Sequence, residues 1–141
     1  MGPLAILWPV FVLVALIYAV WLTLFFQRIR HLKNNPPKAA DFATGSAALH
    51  YFEPVEMPAN NLRNLFEMPV LFLALVPLLL ITQMASDIQV GMAWIFVALR
   101  IVHSIIHVRK GSVAWRFRVY LLSCVVLLSM WIGFAIDFAT I

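Results

Sequence analysis

The chain has 141 residues, of which 64% are hydrophobic and 11% are charged, and its formal net charge is +4. A soluble domain is roughly half apolar and a quarter charged, so this composition excludes a soluble globular protein and indicates an integral membrane protein. The positive charge is grouped beside apolar segments, a pattern typical of membrane topology and not of nucleic-acid binding.

Four apolar segments are long enough to cross a bilayer, which takes roughly 20 helical residues. They are continuously apolar and lack a two-residue alternation, so they predict helices and not the strands of a barrel. We therefore expect one all-α integral membrane domain over residues 1–141, folded as a four-transmembrane-helix bundle. The predicted spans are residues 4–26, 65–84, 90–108 and 119–138.

The first span is expected to remain as a helix and not to be removed as a signal peptide. No basic residue precedes it, it is longer than the apolar core of a signal peptide, and its basic residues follow it. We interpret it as a permanent membrane anchor of the bundle.

Residues 27–62 form the longest polar connection, and several prolines within it exclude a long regular helix. The segment AADFATGSAALHYF, residues 39–52, predicts a short amphipathic helix at the membrane surface or the mouth of the bundle. Pro69 and Pro77 fall inside the second span, where the missing amide donors predict a bent helix. The connection RKGS predicts a tight turn at Gly111 between the third and fourth spans.

The ten Lys and Arg residues follow the first span, enter the second, or surround the third connection, whereas the turn TQMASDIQ has none. By the positive-inside rule, the connection at 27–62 and the turn at Gly111 are cytoplasmic, and both termini lie outside. We expect the protein to reside in a cell or inner membrane.

Polar side chains gather at the cytoplasmic ends of three spans, at spacings of three or four residues that place them on one helix face. They are Asn60, Arg63, Asn64 and Glu67 in the second span, Arg100, His103 and His107 in the third, and Arg116 and Tyr120 in the fourth. A charge at the bilayer centre costs about 2.5–3.5 kcal/mol. These groups must therefore face each other, a partner subunit or a wet pocket.

Two interpretations of these polar faces remain open. In the first, Glu67 forms structural ion pairs with Arg63 and Arg100, and Asn64 hydrogen-bonds between helices. In the second, the arginines outnumber the carboxylate and leave a positive charge that a small anion neutralises. The arginines in question are Arg28, Arg63, Arg100 and Arg116.

His103 and His107 are four residues apart, a spacing found in some metal and haem sites. No cysteine and no second histidine pair completes a ligand set, so we expect no metal and interpret both residues as hydrogen-bonded within the bundle. Cys124 is the only cysteine, and we interpret it as a small buried residue of the fourth span.

The motifs RNLFE at 63–67, RIVHSIIH at 100–107 and RFRVY at 116–120 resemble the family of membrane-associated proteins in eicosanoid and glutathione metabolism, MAPEG. Their spacing is similar to that of the prostaglandin E synthase branch. The resemblance implies a homotrimer in which glutathione, as co-substrate, lies between neighbouring subunits near the cytoplasmic face. It further implies a transferase or peroxidase that acts on lipophilic electrophiles from the bilayer.

The resemblance also assigns roles to single residues. Arg116 is expected to be the catalytic residue that stabilises the glutathione thiolate, with Tyr120 near the sulfur and Arg28 contributed by the neighbouring subunit. A free thiol has a pKa near 8.5, and an adjacent guanidinium lowers it. The remaining glutathione-binding residues are expected to be Arg63, Asn64, Glu67, Arg100, His103 and His107.

Three positions depart from the prostaglandin E synthase pattern. Asn60 stands in place of an arginine, His107 in place of a tyrosine, and Phe117 in place of a serine beside the thiolate-stabilising arginine. These departures argue against prostaglandin synthesis in particular. The alternative to an enzyme is a non-catalytic protein that keeps this scaffold as a structural trimer, a lipid binder or an accessory subunit.

Overall fold

The computed structural model describes residues 2–109 and 112–140. Within these ranges the chain forms six α-helices and no β-strand. The helices are α1 (Leu7–Asn34), α2 (Gly45–Phe52), α3 (Met57–Glu67), α4 (Pro69–Ile81), α5 (Asp87–Val108) and α6 (Val113–Ala139). Short 3₁₀ segments occupy Pro3–Ile6, Ala39–Phe42 and Glu53–Val55.

Four helical segments of the described chain are long and apolar enough to cross a membrane, which confirms the predicted four-helix membrane architecture. They are Leu4–Asn34, Met57–Ile81, Asp87–Val108 and Val113–Ala139. The first continues past residue 26, because the residues that follow, QRIRHLKN, are mostly good helix formers. The second begins at Met57 and not at residue 65, so the polar residues before Leu65 belong to a helix and not to a loop.

The second span is interrupted where the sequence predicts a bend. Helix α3 ends at Glu67 and α4 begins at Pro69, with Met68 between them. The ring nitrogen of Pro69 cannot donate the backbone hydrogen bond that would continue α3. Pro77, in contrast, lies inside α4 without ending it. The polar α3 is thereby separated from the wholly apolar α4.

Helix α5 occupies the centre of the bundle, because it packs against α1, α3 and α6. Its N-terminal half is anchored by apolar contacts, including the Phe72 and Phe96 rings, whose centroids are 5.0 Å apart. The Gln89 side chain donates a 3.0 Å hydrogen bond to the carbonyl of Met130 on α6. Farther along, the buried face of α5 changes from apolar to polar, and this polar half positions the candidate site.

The connection between α1 and α3 is folded against the end of α1. Thr44 caps helix α2 by accepting a 3.1 Å hydrogen bond from the amide of Ala47. The Tyr51 hydroxyl donates to the carbonyl of Asn35, and the Tyr51 ring lies 4.9 Å from the ring of His31. Helix α2 confirms the short helix that the sequence predicts. The turn predicted at Gly111 lies outside the described residues.

Candidate functional site

Arg100 links three helices at the centre of the polar half of the bundle. Its side chain is fully buried. One terminal nitrogen donates a 2.8 Å hydrogen bond to the Asn64 carbonyl on α3, and the other lies 3.5 Å from the Ser123 hydroxyl on α6. The guanidinium carbon is 5.4 Å from the centroid of the Tyr120 ring. Arg100 thus brings together residues that are far apart in the sequence.

No carboxylate neutralises this buried guanidinium at ion-pair distance within the described part of the chain. Its Nε atom has no hydrogen-bond partner. The ion pair between Arg100 and Glu67, one of the two sequence interpretations, is therefore not formed. A buried cation held by neutral acceptors alone carries a desolvation cost that an anion would offset.

His103 has one ring nitrogen engaged and the other free. Its Nδ1 lies 3.3 Å from the carbonyl oxygen of Arg116, and since a carbonyl can only accept, Nδ1 carries the hydrogen. Nε2 is then a buried acceptor without a partner. The rings of His107 and Tyr120 each lie 5.8 Å from that of His103. This contact confirms that His103 is hydrogen-bonded within the bundle.

His107 differs from its neighbour. It is equally buried, but its Nδ1 has no hydrogen-bond partner in the structure. Among the described residues, no group of three or more His, Cys, Asp or Glu side chains could hold a metal ion. Each of the two histidines thus has one buried ring nitrogen without a partner among the described residues, Nε2 of His103 and Nδ1 of His107.

A pocket of about 190 Å³ opens next to these residues, between α3, α5 and α6. Its lining consists of Asn64, His103, Val113, Arg116, Phe117 and Tyr120. Arg116 is half-buried and Phe117 is exposed at the mouth. Sites for small molecules usually measure about 300–1,000 Å³. The pocket of a single chain is smaller than most such sites.

Arg63 and Glu67 do not line this pocket. Both are exposed on α3, and no ion pair joins them although they are four residues apart. Asn60 is exposed as well. Charged groups on the surface of a spanning segment need water or a partner subunit as neighbours.

Arg28 is also separate from the pocket of its own chain. Its Nη2 atom donates to the carboxylate of Glu56, at 3.3 and 3.2 Å from the two oxygens. Its guanidinium carbon lies 4.9 Å from the centroid of the Phe52 ring. This ion pair was not predictable from the sequence, because Glu56 is far from Arg28 in the chain and no periodicity relates them.

Two further buried polar residues, Ser104 and Asn61, are not among the predicted site residues. The Ser104 hydroxyl donates a 3.3 Å hydrogen bond to the side-chain oxygen of Asn61, joining α5 to α3. Ser104 follows Arg100 by four residues and Asn61 precedes Asn64 by three, so helical spacing alone could have found both. Asn61, and not the neighbouring Asn60, is the asparagine that faces the bundle.

Cys124, which the sequence predicts as a small buried residue, is only partly buried. It is half-buried and lies one turn beyond Tyr120 on α6. The residue before it, Ser123, accepts from Arg100. The spacing of the sequence could have predicted that Cys124 lies on the same face of α6 as the site residues, since residues 116, 120 and 124 are each four apart.

Comparison with known protein families matches residues 6–136 to the model of the MAPEG family. No curated protein and no solved structure matches the chain significantly. The family match spans all four helical segments and extends well beyond the three motifs that carry the resemblance in the sequence.

Proposed function

The chain belongs to the MAPEG family, and from this premise we propose that it is a membrane-embedded, glutathione-dependent transferase or peroxidase. Glutathione is the co-substrate and occupies the pocket between α3, α5 and α6, on the cytoplasmic side of the membrane. The second substrate is a lipophilic electrophile that reaches the site from the bilayer.

The observation that carries this proposal is the fully buried Arg100 without a carboxylate at ion-pair distance in the described chain. A second guanidinium, that of Arg116, lines the adjoining pocket. Two cations with few anionic neighbours favour a ligand with carboxylate groups, because charge-assisted hydrogen bonds to arginine are strong and geometrically specific. Glutathione carries two carboxylates and a thiol, and suits such a site.

Each pocket residue has a chemical role in the proposed reaction. Arg116 stabilises the thiolate of glutathione, and each unit by which it lowers the thiol pKa corresponds to about 1.4 kcal/mol of favourable interaction. Tyr120 offers a hydroxyl donor to the sulfur or to the leaving group. The free Nε2 of His103 accepts a hydrogen bond from a ligand N–H group.

The active form that we propose is a homotrimer in which a neighbouring subunit completes the pocket. The support is that the pocket of one chain is small, while Arg63 and Glu67 of α3 are exposed. A neighbouring chain packed there would shield these charges from lipid and enlarge the cavity. Arg28 of that neighbour would then approach the ligand, in addition to its bond to Glu56.

Thermal unfolding in detergent tests the proposal directly. A ligand present at 100 times its dissociation constant stabilises a protein by about 2.7 kcal/mol, so millimolar glutathione should raise the melting temperature measurably. Glutathione sulfonate, which lacks the thiol but keeps the carboxylates, should act in the same way. No shift with either compound would refute the proposed function.

The same experiment distinguishes the non-catalytic alternative, a lipid-binding protein, from the proposed enzyme. The exposed Phe117 and the Val113 side chain make part of the pocket apolar, which also suits the junction of a lipid head group and its acyl chains. An anionic phospholipid that raises the melting temperature, in the absence of any effect of glutathione, would identify the protein as a lipid-binding member of its family.

A further inference from the structure

A groove runs between α1 and α5 on the predicted cytoplasmic side of the bundle, apart from the candidate site. Its cavity measures about 240 Å³, and its walls are mostly apolar, with Leu16 and Val20 of α1 facing Ile105 and Val108 of α5. We call it the α1–α5 groove. Its lining residues and those of the pocket between α3, α5 and α6 do not overlap.

Arg109 supplies a positive charge at the end of this groove. It directly follows Val108, the last residue of α5, and its backbone amide donates a 3.1 Å hydrogen bond to the carbonyl of Ile105, so its main chain is held at the groove. The side chain is exposed, and no carboxylate within residues 2–109 and 112–140 lies at ion-pair distance from it. Its guanidinium is therefore available to an anion from outside the chain.

The hydroxyl groups of the groove, in contrast, are already engaged as donors. Thr23 donates a 2.8 Å hydrogen bond to the carbonyl of Ala19, and Ser104 donates a 3.3 Å hydrogen bond to the side-chain oxygen of Asn61. Their oxygen atoms can still accept hydrogen bonds, but they have no proton left for an anion. An anionic group in this groove must therefore bind to Arg109.

A cation at the end of an apolar groove matches the chemistry of an anionic phospholipid. Guanidinium groups form strong bidentate hydrogen bonds with phosphate oxygens, and basic pockets between transmembrane helices on the cytoplasmic side bind anionic head groups. An acyl chain attached to that phosphate would lie along Leu16, Val20 and Ile105. A free phosphate would leave these apolar walls without a partner, and a choline head group would add a second cation beside Arg109.

The groove stays open to lipid in the proposed homotrimer. In that assembly Arg28 of α1 reaches towards the neighbouring subunit. Thr23 lies five residues before Arg28, which corresponds to about 140° around the helix. The side of α1 that would face the neighbour is therefore not the side that lines the groove, where Ala19 and Ile105 are exposed.

We propose that the α1–α5 groove binds one anionic phospholipid from the predicted cytoplasmic leaflet. The phosphate binds to Arg109, and one acyl chain lies between α1 and α5. This site does not depend on glutathione binding. It is also separate from the pocket in which the non-catalytic alternative would hold a lipid.

Native mass spectrometry of the purified protein in detergent tests the charged part of the site. The protein is titrated with dioleoyl phosphatidylglycerol and, in parallel, with dioleoyl phosphatidylcholine, which has the same acyl chains but no net charge. We expect tighter binding of phosphatidylglycerol. Arg109→Gln should weaken that binding about fivefold, as expected for the loss of one arginine near an anionic head group. Arg118→Gln is the matched control and should bind as the wild type does, because Arg118 is also exposed but lies against the ring of Trp115 outside the groove.

Ala19→Phe tests the apolar part of the site without removing a charge. Ala19 is exposed and lines the groove, so a phenylalanine ring there would fill the space proposed for the acyl chain without entering the core. It should weaken the binding of phosphatidylglycerol at least as much as Arg109→Gln does. Ala15→Phe is the control, because Ala15 is exposed one turn earlier on α1 and lies outside the lining.

Equal binding of the two lipids by the wild type, or undiminished binding of phosphatidylglycerol in either Arg109→Gln or Ala19→Phe, would overturn the proposal. Binding that Arg116→Ala abolishes and Arg109→Gln leaves intact would also overturn it, since the lipid would then occupy the pocket between α3, α5 and α6. The effect of glutathione on the melting temperature of Arg109→Gln is measured separately. It reports on the proposed function alone, so the failure of one proposal is distinguishable from the failure of the other.

Discussion

The guanidinium of Arg100 on α5 donates a 2.8 Å hydrogen bond to the backbone carbonyl of Asn64 on α3. This bond connects the helices that contain the RNLFE and RIVHSIIH motifs. It also engages one of the last carbonyls of α3, close to the interruption at Met68 where the regular helical ladder is lost. The break at Pro69 and the position of the buried arginine are therefore parts of one arrangement.

Arg100→Met tests whether the buried cation stabilises the fold or binds a ligand. Replacing a buried charge with an apolar side chain of similar length is often neutral or stabilising by about 1–4 kcal/mol. We therefore expect the variant without glutathione to unfold at the same temperature as the wild type or higher. Its melting temperature should no longer rise when glutathione is added. The measurement is thermal unfolding in detergent with and without the ligand.

The control for this substitution is Arg109→Met, at the exposed end of the same helix. It should keep the full response to glutathione. A loss of about 1–3 kcal/mol of stability in Arg100→Met, as expected when the partly buried Asn64 carbonyl loses its donor, would instead assign Arg100 a structural role.

Arg116→Ala removes the cation that we place beside the glutathione sulfur. The half-buried guanidinium lines the pocket together with Tyr120, so without it the thiol should stay protonated at neutral pH. We expect the ultraviolet absorbance of the thiolate, seen when glutathione is added to the wild type, to fall by about tenfold or more.

Arg118→Ala is the matched control, since Arg118 is exposed two residues later on α6 and lies 5.3 Å from the ring of Trp115. Its thiolate absorbance should equal that of the wild type. An undiminished signal in Arg116→Ala would remove Arg116 from the mechanism.

Substitutions of Arg28 and Glu56 distinguish a structural role of Arg28 from a role in glutathione binding. Both side chains are partly exposed, so the ion pair should contribute no more than about 1 kcal/mol to stability. We expect Glu56→Gln to lower the melting temperature slightly and to leave the glutathione response intact. Arg28→Gln should lower the melting temperature equally and also weaken glutathione binding, because the neighbouring subunit would lose a cation at its site.

A double variant completes this cycle. If the two single variants change stability and ligand response to the same extent, and the double variant adds nothing, Arg28 acts only through Glu56. Isothermal titration with glutathione, together with thermal unfolding, measures both quantities.

The four spans and the helical faces of the site were predictable because composition and spacing record them directly. Arg100 and His103 share a face at helical period, and both are buried as that period requires. The helices that carry the first two spans extend beyond the predicted span bounds, because hydropathy ends a span at the first charges, whereas the first helix continues through Arg28 and the second begins before Asn64.

The pairings between helices were not predictable from spacing. Spacing places Glu67 on a polar face but does not fix its rotation relative to α5, and the structure leaves Glu67 exposed while Arg100 binds a backbone carbonyl. Backbone acceptors have no sequence signature. For the same reason the partner of His103, the carbonyl of Arg116, could not be inferred.

Glu67→Arg tests whether a second copy of the chain covers the exposed face of α3. In the proposed homotrimer the carboxylate lies near cations of the neighbouring subunit, so reversing its charge places like charges together and should dissociate the assembly. Native mass spectrometry of the detergent-solubilised protein should give three copies for the wild type and mainly single copies for the variant. Glu53→Arg is the control, because Glu53 is exposed and pairs with His50 in the connecting segment at 3.2 Å. A wild-type protein that is monomeric at all concentrations would contradict the trimer, and the pocket of one chain would then have to hold the ligand alone.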